Sequence, residues 1–409
     1  MFQVKSLRVN MRSFCLAMAG LAIALAASTP AKAQLFGQHV AQPFFDFPNW
    51  ARWDNCRPKP LVWGFDPYAY YQPCDPTQCG DCNNGPNSCP EPPAPFVAHR
   101  PNNWYATAEF APLFYDPNHD IEVARFGDSG PTLLTTSALD NDFDSGGKFT
   151  LGRTIGHSYR VEGTYLGAYS WSDEVSITDF SANDIVGGTG NITSFLSGFS
   201  TDIDLNNNNF VSVGNVSSLY GAEVNVRYWL DVPPGPFDFS FLVGGRYLNM
   251  DESFSFFTSA DSPGLDVTND LAVQTSNELY GLQIGVEMAW MVHPRFWLNI
   301  DLKGAMCNNR ASQASTFGVT DGGVLDEFET GASEDVTAYI GDFSVVGCWQ
   351  MTPSMVFRIG YQALFVNGLA LGMDNAETDN FLLRNGPGQL DDSGEVAYHG
   401  PVIGFTWAR

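Results

Sequence analysis

The chain has 409 residues, and its 45 acidic against 20 basic side chains give a formal charge of −25. A polyanionic partner would be repelled, which excludes nucleic acid. Glycine (40 residues) and aromatics (14%) are plentiful, and helical periodicity is missing after the first thirty residues, so the composition points to an all-β chain.

In chain order, the first predicted element is a leader. Lys5, Arg8 and Arg12 precede the apolar run Phe14 to Ala27, and "AKA" at Ala31 to Ala33 supplies a small-residue cleavage site. A basic region, a short apolar core and an Ala-x-Ala site read as a secretory signal peptide over residues 1–33. The run is short for a membrane span. Residues 34–103 are rich in Pro, Asn and Cys without periodicity and read as an irregular periplasmic linker. It carries Cys56, Cys74, Cys79, Cys82 and Cys89, while Cys307 and Cys348 lie far downstream. In an exported chain disulfides are the expected fate of such cysteines. Cys79-Gly-Asp-Cys82 also matches half of a zinc knuckle or a redox pair, but a second Cys-x-x-Cys and a supporting helix-strand pattern are both missing.

From residue 104 onward, period-two alternation predicts strands over 104–114, 147–153, 159–169, 218–230, 238–249, 278–290, 296–305, 336–349, 355–366 and 395–407, many of them long enough to cross a bilayer when tilted. In "LYGAEVNVRYWL" the apolar face begins and ends near tyrosine (Tyr220, Tyr228), and Glu223, Asn225 and Arg227 lie on the other face. Four connections, "TIGHS", "DVPPGPF", "MVHPR" and "QMTPS", are tight. They alternate with five long ones, roughly 115–146, 170–217, 250–277, 306–335 and 367–394. Antiparallel strands send consecutive connections to opposite ends, so short turns share one rim and long loops the other, as in a bacterial outer-membrane barrel. The long loops hold most of the acids against Arg125, Arg310 and Arg384 only. The expected fold is therefore an antiparallel transmembrane β-barrel over residues 104–409, with ten strands and acidic external loops. Twelve strands result if "NITSFLSGF" pairs with "NNFVSVGN".

"WYATAEFAPLFY", "LDNDFDSGGKFTLG" (Leu139 to Gly152), "YRVEGTYLGAYS", "LYGAEVNVRYWL" and "ELYGLQIGVEMAWMV" together resemble a family of outer-membrane β-barrels, beta barrel porin family seven, found in planctomycete-type bacteria. The resemblance covers residues 104–407 and rests most on the Ser-Gly-Gly segment. It implies an outer-membrane location and a barrel, and it brings no catalytic residue, cofactor or metal ligand with it. The chain departs from the family at Phe110 to Tyr115, where a double tryptophan is common.

Three clusters carry candidate chemistry. Asp140-x-Asp142-x-Asp144-x-Gly146 and Asp202, Asp204, Asn206, Asn208 have the alternating oxygens of a calcium loop. Neither has the closing bidentate glutamate, and the first reads better as the lead-in to a hairpin whose side chains bond their own backbone. His119, between Asp116 and Asp120, stands above the first strand and His399 lies in the last, as a rim hydrolase would place them. No Gly-x-Ser-x-Gly or other activated nucleophile accompanies them, so no enzyme is expected. The lumen face carries Glu162, Glu223, Arg227, Arg246, Glu287, Asp301, Lys303, Asp342 and Arg358. Ten strands lie near the size at which side chains fill a barrel, so these charges are expected to pair as an ionic plug. The leading reading is a barrel with a structural or surface-interaction role whose partners are outer-membrane lipid and cell-surface or envelope proteins. The alternative is a narrow cation-preferring porin for small solutes, and Arg227→Ala separates the two: a plug loosens or leaks, a channel changes selectivity.

Overall fold

A computed structural model of the protein describes residues 104–408, apart from 118–119, 128–129, 140–142, 157, 180–190, 195–207, 231–235, 263–264, 294, 353 and 379–388. The leader, the linker with its cysteines, His119 and most of the two Asp-rich segments lie outside the described residues.

Fourteen strands are described. They are β1 (Trp104–Phe110), β2 (Phe114–Pro117), β3 (Glu122–Phe126), β4 (Thr132–Thr135), β5 (Gly147–Ile155), β6 (Tyr159–Thr178), β7 (Ile192–Ser194), β8 (Phe210–Trp229), β9 (Phe237–Ser262), β10 (Leu265–His293), β11 (Phe296–Asp321), β12 (Val324–Thr352), β13 (Met355–Leu369) and β14 (Gly394–Ala408). One short helix, α1, spans Gly372–Thr378. Antiparallel neighbours run β1-β5-β6-β8-β9-β10-β11-β12-β13-β14, and β14 pairs back with β1 from Ala408↔Tyr105 to Ile403↔Phe110. The ring is closed, with ten positions. β2 occupies the same place beside β14 as β1, opposite Phe114↔His399 to Pro117↔Val396. The two are one strand interrupted at Ala111-Pro112-Leu113, because proline has no N–H to give the ladder. Gly400 lets that interruption lie flat, since a Cβ there would come within 2.0 Å of the Pro112 carbonyl.

The predicted strands all exist, but nine are longer than the sequence reading has them, six of these (β6 and β8 to β12) by seven residues or more. The connections read as loops at 250–277 and 306–335 are strand, in continuous register from Met250↔Asn277 up to Ser262↔Leu265 and from Met306↔Tyr339 up to Asp321↔Val324. The second hairpin turns on Gly322 (φ 54°) and Gly323 (φ 84°), the positive-φ pair that a two-residue hairpin favours. The extra pair needed for twelve strands does not form in the ring. Residues 210–217 belong to β8, and Ile192–Ser194 join a separate three-stranded sheet, β4-β3-β7.

The length follows from a reversal of the alternation. In the lower part of each strand the outer face is apolar and the inner face polar: in β8, Val224, Val226 and Tyr228 are exposed while Glu223, Asn225 and Arg227 are buried. Above Tyr220 the phase inverts. Leu219, Val213 and Val211 are buried inside, and in β9 the buried Phe254 and Phe256 alternate with outward Asp251, Ser253 and Ser255. The reversal coincides with a belt of outward tyrosines, Tyr165, Tyr220, Tyr280, Tyr339 and Tyr361, all exposed. A second outward belt, Trp104, Tyr159, Tyr228, Phe237, Trp290, Phe296, Trp349, Phe405 and Trp407, marks the short-turn rim. Belt members touch across strands, as in Tyr159–Tyr228 (5.1 Å between ring centroids) and Phe237–Trp290 (6.1 Å). Tyr220 to Tyr228, or Tyr280 to Trp290, is eight to ten residues of tilted strand, matching an apolar band about 25 Å tall. A wall that faces lipid between the belts must be greasy outside, and one that faces water above them must be greasy inside.

Candidate functional site: the barrel interior

The interior is filled in three storeys. The lowest, between the two belts, is ionic. Arg227 on β8 donates from Nε to Glu162 Oε1 (3.0 Å) on β6, and its terminal nitrogens reach Glu287 Oε2 (2.8 Å) on β10 and Asp301 Oδ2 (3.1 Å) on β11. Arg160 lies beside it, with Nε 2.8 Å from Glu162 Oε2 and Nη2 3.5 Å from Glu287 Oε2, and its guanidinium sits over the Tyr105 and Trp229 rings at 5.2 and 4.8 Å. Tyr105 Oη donates to Glu162 Oε2 (2.6 Å), and Asn299 Nδ2 to Glu287 Oε1 (2.9 Å). One turn of pleat higher, Lys303 Nζ lies 2.8 Å from Glu223 Oε1 and 3.7 Å from Asp342 Oδ2, while Arg246 Nη1 is 3.2 Å from the same Asp342 oxygen. Gln283 Nε2 donates to Glu223 and Asn225 at 2.7 and 2.6 Å. Arg358 Nε donates to Glu109 Oε1 (2.6 Å) on β1, across the closing seam of the barrel. These side chains are nearly all buried, and six carboxylates (109, 162, 223, 287, 301, 342) meet five cations (160, 227, 246, 303, 358). Near-balance within a buried network is what makes it tolerable, because a single unpaired ion there would cost several kcal/mol.

The middle storey is apolar and lies level with the tyrosine belt. Tyr115, Tyr169, Trp171, Leu219, Leu248, Met250, Leu279, Cys307, Ile340, Leu364, Val366 and Tyr398 form one buried cluster drawn from most of the ring, with Leu113 among them. Trp171 is at its centre, stacked on Tyr169 (5.5 Å, 3° between planes) and touching Tyr115 (5.6 Å) and Tyr398 (5.3 Å). Its Nε1 donates to the Leu113 carbonyl (3.2 Å), which satisfies the one polar atom it buries. A cavity of about 30 Å³ lies where the two lower storeys meet, among Leu113, Lys148, Glu223, Arg246, Leu248 and Asp342.

The top storey is a cap. The small sheet β4-β3-β7 and helix α1 bury Ile121, Val123, Leu134, Ile192 and Met373 against Val211, Val213, Phe254, Phe256, Leu271, Val273 and Phe317 of the elongated wall. The segment leading into α1 is clamped by two asparagines. Asn277 Nδ2 donates to Ala370 O and Asn277 Oδ1 accepts from Ala370 N, both at 2.8 Å; Asn309 Nδ2 donates to Gly368 O (2.8 Å) and to Asn277 Oδ1 (2.9 Å). Glu252, three residues beyond Asn249, the β9 partner of Tyr220 in the belt, accepts from the Tyr115 hydroxyl and from Gly372 N (3.0 Å). Desolvation holds its carboxyl above the ordinary range, a tendency opposed by these two donors. Asn277→Ala removes two of the clamp's main-chain bonds inside a buried site, so a loss of about 1–3 kcal/mol is expected. Limited proteolysis of the refolded protein should then cut within 370–393 at least several-fold faster, with the barrel fragment intact.

All nine charged residues assigned to the lumen by alternation face inward and meet in the ionic storey. The reading missed Arg160 and Glu109. Both were within reach of the same rule: Arg160 lies two residues from Glu162, and Glu109 continues the inward series Tyr105, Thr107. The apolar storey does not follow from the same rule, which expects a polar lumen over the whole height of the barrel.

The other candidates are not brought together. His399 sits on the outer face with Nδ1 2.7 Å from Tyr361 Oη, stacked against Phe114, so it looks away from the interior. Asp144 bridges to Leu113 through its backbone and accepts from Ser170 N (2.5 Å), the arrangement of a hairpin lead-in. Asn208, the one described member of the second Asp/Asn series, pairs with Ile192. Cys307 and Cys348 are buried free thiols on the inner wall; Cys307 packs in the apolar cluster, while Cys348 Sγ accepts from Arg358 Nη1 (3.7 Å).

A family model described as "Putative beta barrel porin-7 (BBP7)" matches residues 120–382. Among solved structures, the chain is similar to the outer membrane protease OmpT from Escherichia coli (10% identity, 76% of this chain and 98% of that chain covered, TM-score 0.37). It is also similar to a major outer membrane protein from Thermus thermophilus (12%, 75% and 99%, 0.28) and to the Ralstonia pickettii toluene transporter TbuX (11%, 75% and 90%, 0.24). Scores this low carry no argument about this chain. The comparison with curated proteins returned no match.

Proposed function

Because the chain belongs to the beta barrel porin-7 family, and so is an outer-membrane β-barrel, we propose that it is a closed member of that architecture. In this reading it is an anchor that holds a folded external surface in the membrane and does not conduct solutes. The observation that carries the reading is the stacking of three storeys: a buried ionic network, an apolar plate centred on Trp171, and the cap clamped by Asn277, Asn309 and Glu252. Each alone narrows the lumen. An ion crossing all three would have to displace paired charges and then shed its water in an aromatic layer, at a cost of many kcal/mol. The long-loop rim, with its cap and its acidic upper strands, is the external face, and the leader over residues 1–33 exports the chain and is cleaved. Lipid and envelope or surface proteins are its partners, and no reaction is assigned to it.

The alternative, a narrow cation-preferring pore, draws on the one-charge excess of carboxylates in the ionic storey and on the cavity beside Glu223 and Asp342. Vesicle swelling decides between them. Vesicles containing the refolded protein should swell in isotonic arabinose no faster than protein-free vesicles. Swelling that rises with the amount of folded protein would favour the pore.

A further inference from the structure

The upper wall has an open edge. β12 bonds β11 along its whole length, up to Val324↔Asp321, but its other neighbour, β13, reaches only Tyr339↔Asn367. β13 leaves because Gly368, at φ 87°, turns the chain into the clamped segment, and a Cβ there would come within 2.8 Å of the Thr337 carbonyl. From Val324 to Val336, thirteen residues and about 43 Å of strand, no described strand pairs with the outer edge of β12. At the other end of the wall, β6 lies against β4.

Within that stretch Glu327, Glu329, Glu334 and Asp335 are exposed, Asp326 adds a further acid, and there is no Lys or Arg. Arg310, opposite Asp335, is on the side already paired with β11. Alternate residues of an edge strand turn N–H and C=O outward, and a strand so long and unpaired is a template for another. A second copy of this chain is a poor partner, because it would bring five more acids and no Lys or Arg alongside this edge's own five, and like charges gathered on neighbouring strands destabilise the pairing.

We propose that the Val324–Val336 edge of β12 docks an extended basic segment of another envelope protein, which adds to the sheet as one further strand. The inference rests on the anchor reading above and gives its surface a partner chemistry. Main-chain bonds to β12 supply the pairing, and alternate lysines or arginines on the added strand meet Glu327, Glu329 and Asp335.

The test is fluorescence anisotropy with the full-length protein refolded in nanodiscs and a labelled thirteen-residue peptide alternating Lys with Val and Thr. The expected result is saturable binding, at least tenfold weaker for the Glu327→Lys/Glu329→Lys variant. It should also be at least tenfold weaker for a peptide of identical charge with every second amide N-methylated, which cannot donate to the edge. Absence of binding overturns the inference. So does equal binding of the methylated peptide, since contact is then charge alone; this arm uses the unaltered protein and stands even if the charge-reversed variant misfolds. Conductance recorded on the same refolded protein separates the two claims. A silent barrel that binds nothing refutes the edge only, and a conducting barrel that binds the peptide refutes the anchor reading only.

Discussion

Replacing Arg227 with methionine is expected to lower the unfolding free energy of the refolded barrel by about 3–5 kcal/mol, the usual result of removing one partner from a buried ionic cluster. Among the described residues, Arg227 is the only group that touches Glu162, Glu287 and Asp301 together. Without it, Asp301 loses its ion pair and Arg160 is left to hold Glu162 and Glu287, with its contact to Glu287 already long at 3.5 Å. Methionine keeps the volume, so the loss reports charge and not a void. The check is the urea midpoint of the variant in lipid vesicles against that of the unaltered protein. A plug should lose stability and remain electrically silent while the apolar storey is intact. A channel lined by Arg227 should keep its stability and shift its reversal potential towards stronger cation preference.

The second large effect belongs to the apolar storey. Trp171→Ala removes a side chain buried among Tyr115, Tyr169 and Tyr398 and leaves the Leu113 carbonyl without its donor. A cost of about 3–5 kcal/mol is expected from the cavity alone. Thermal unfolding followed by the mobility shift of the folded barrel measures it. Because the ionic storey lies below, the single variant should still not conduct. Combined with Arg227→Met it should, since two of the three barriers are then weakened at one place. A combined variant that folds and remains silent would assign closure to the cap.

The barrel itself was legible in the sequence because two physical rules overlap in it. Alternation gave the strand faces, and the order of short and long connections gave the rims. Both rules hold between the aromatic belts, where the outer face must suit lipid. They stopped serving above Tyr220, Tyr247 and Tyr280, where the same parity continues but the apolar residues change sides. A search for greasy outer faces ends each strand there, and so takes "FSFFTSAD" and "LAVQTSN" for loop. Searching for persistent parity, whichever face is apolar, would have carried β9 to Ser262 and β12 back to Val324.

The ionic storey was visible as a set of inward residues, but the pairing was not. Which carboxylate meets which cation depends on register across eight strands, as for Arg358 and Glu109, which lie 249 residues apart. The cap was not legible at all. β3, β4 and β7 have three to five residues each, too few to show a period. Their apolar residues make sense only against the inner face of the elongated wall.

The most direct test of the closed barrel is single-channel recording of the refolded, unaltered protein in a planar bilayer at two salt concentrations. The three storeys predict no steps above baseline at either concentration, from protein shown to be folded by its heat-dependent mobility. Steady steps that scale with salt and select cations would contradict the plug and make Glu223, Glu287, Asp301 and Asp342 the lining of a working pore.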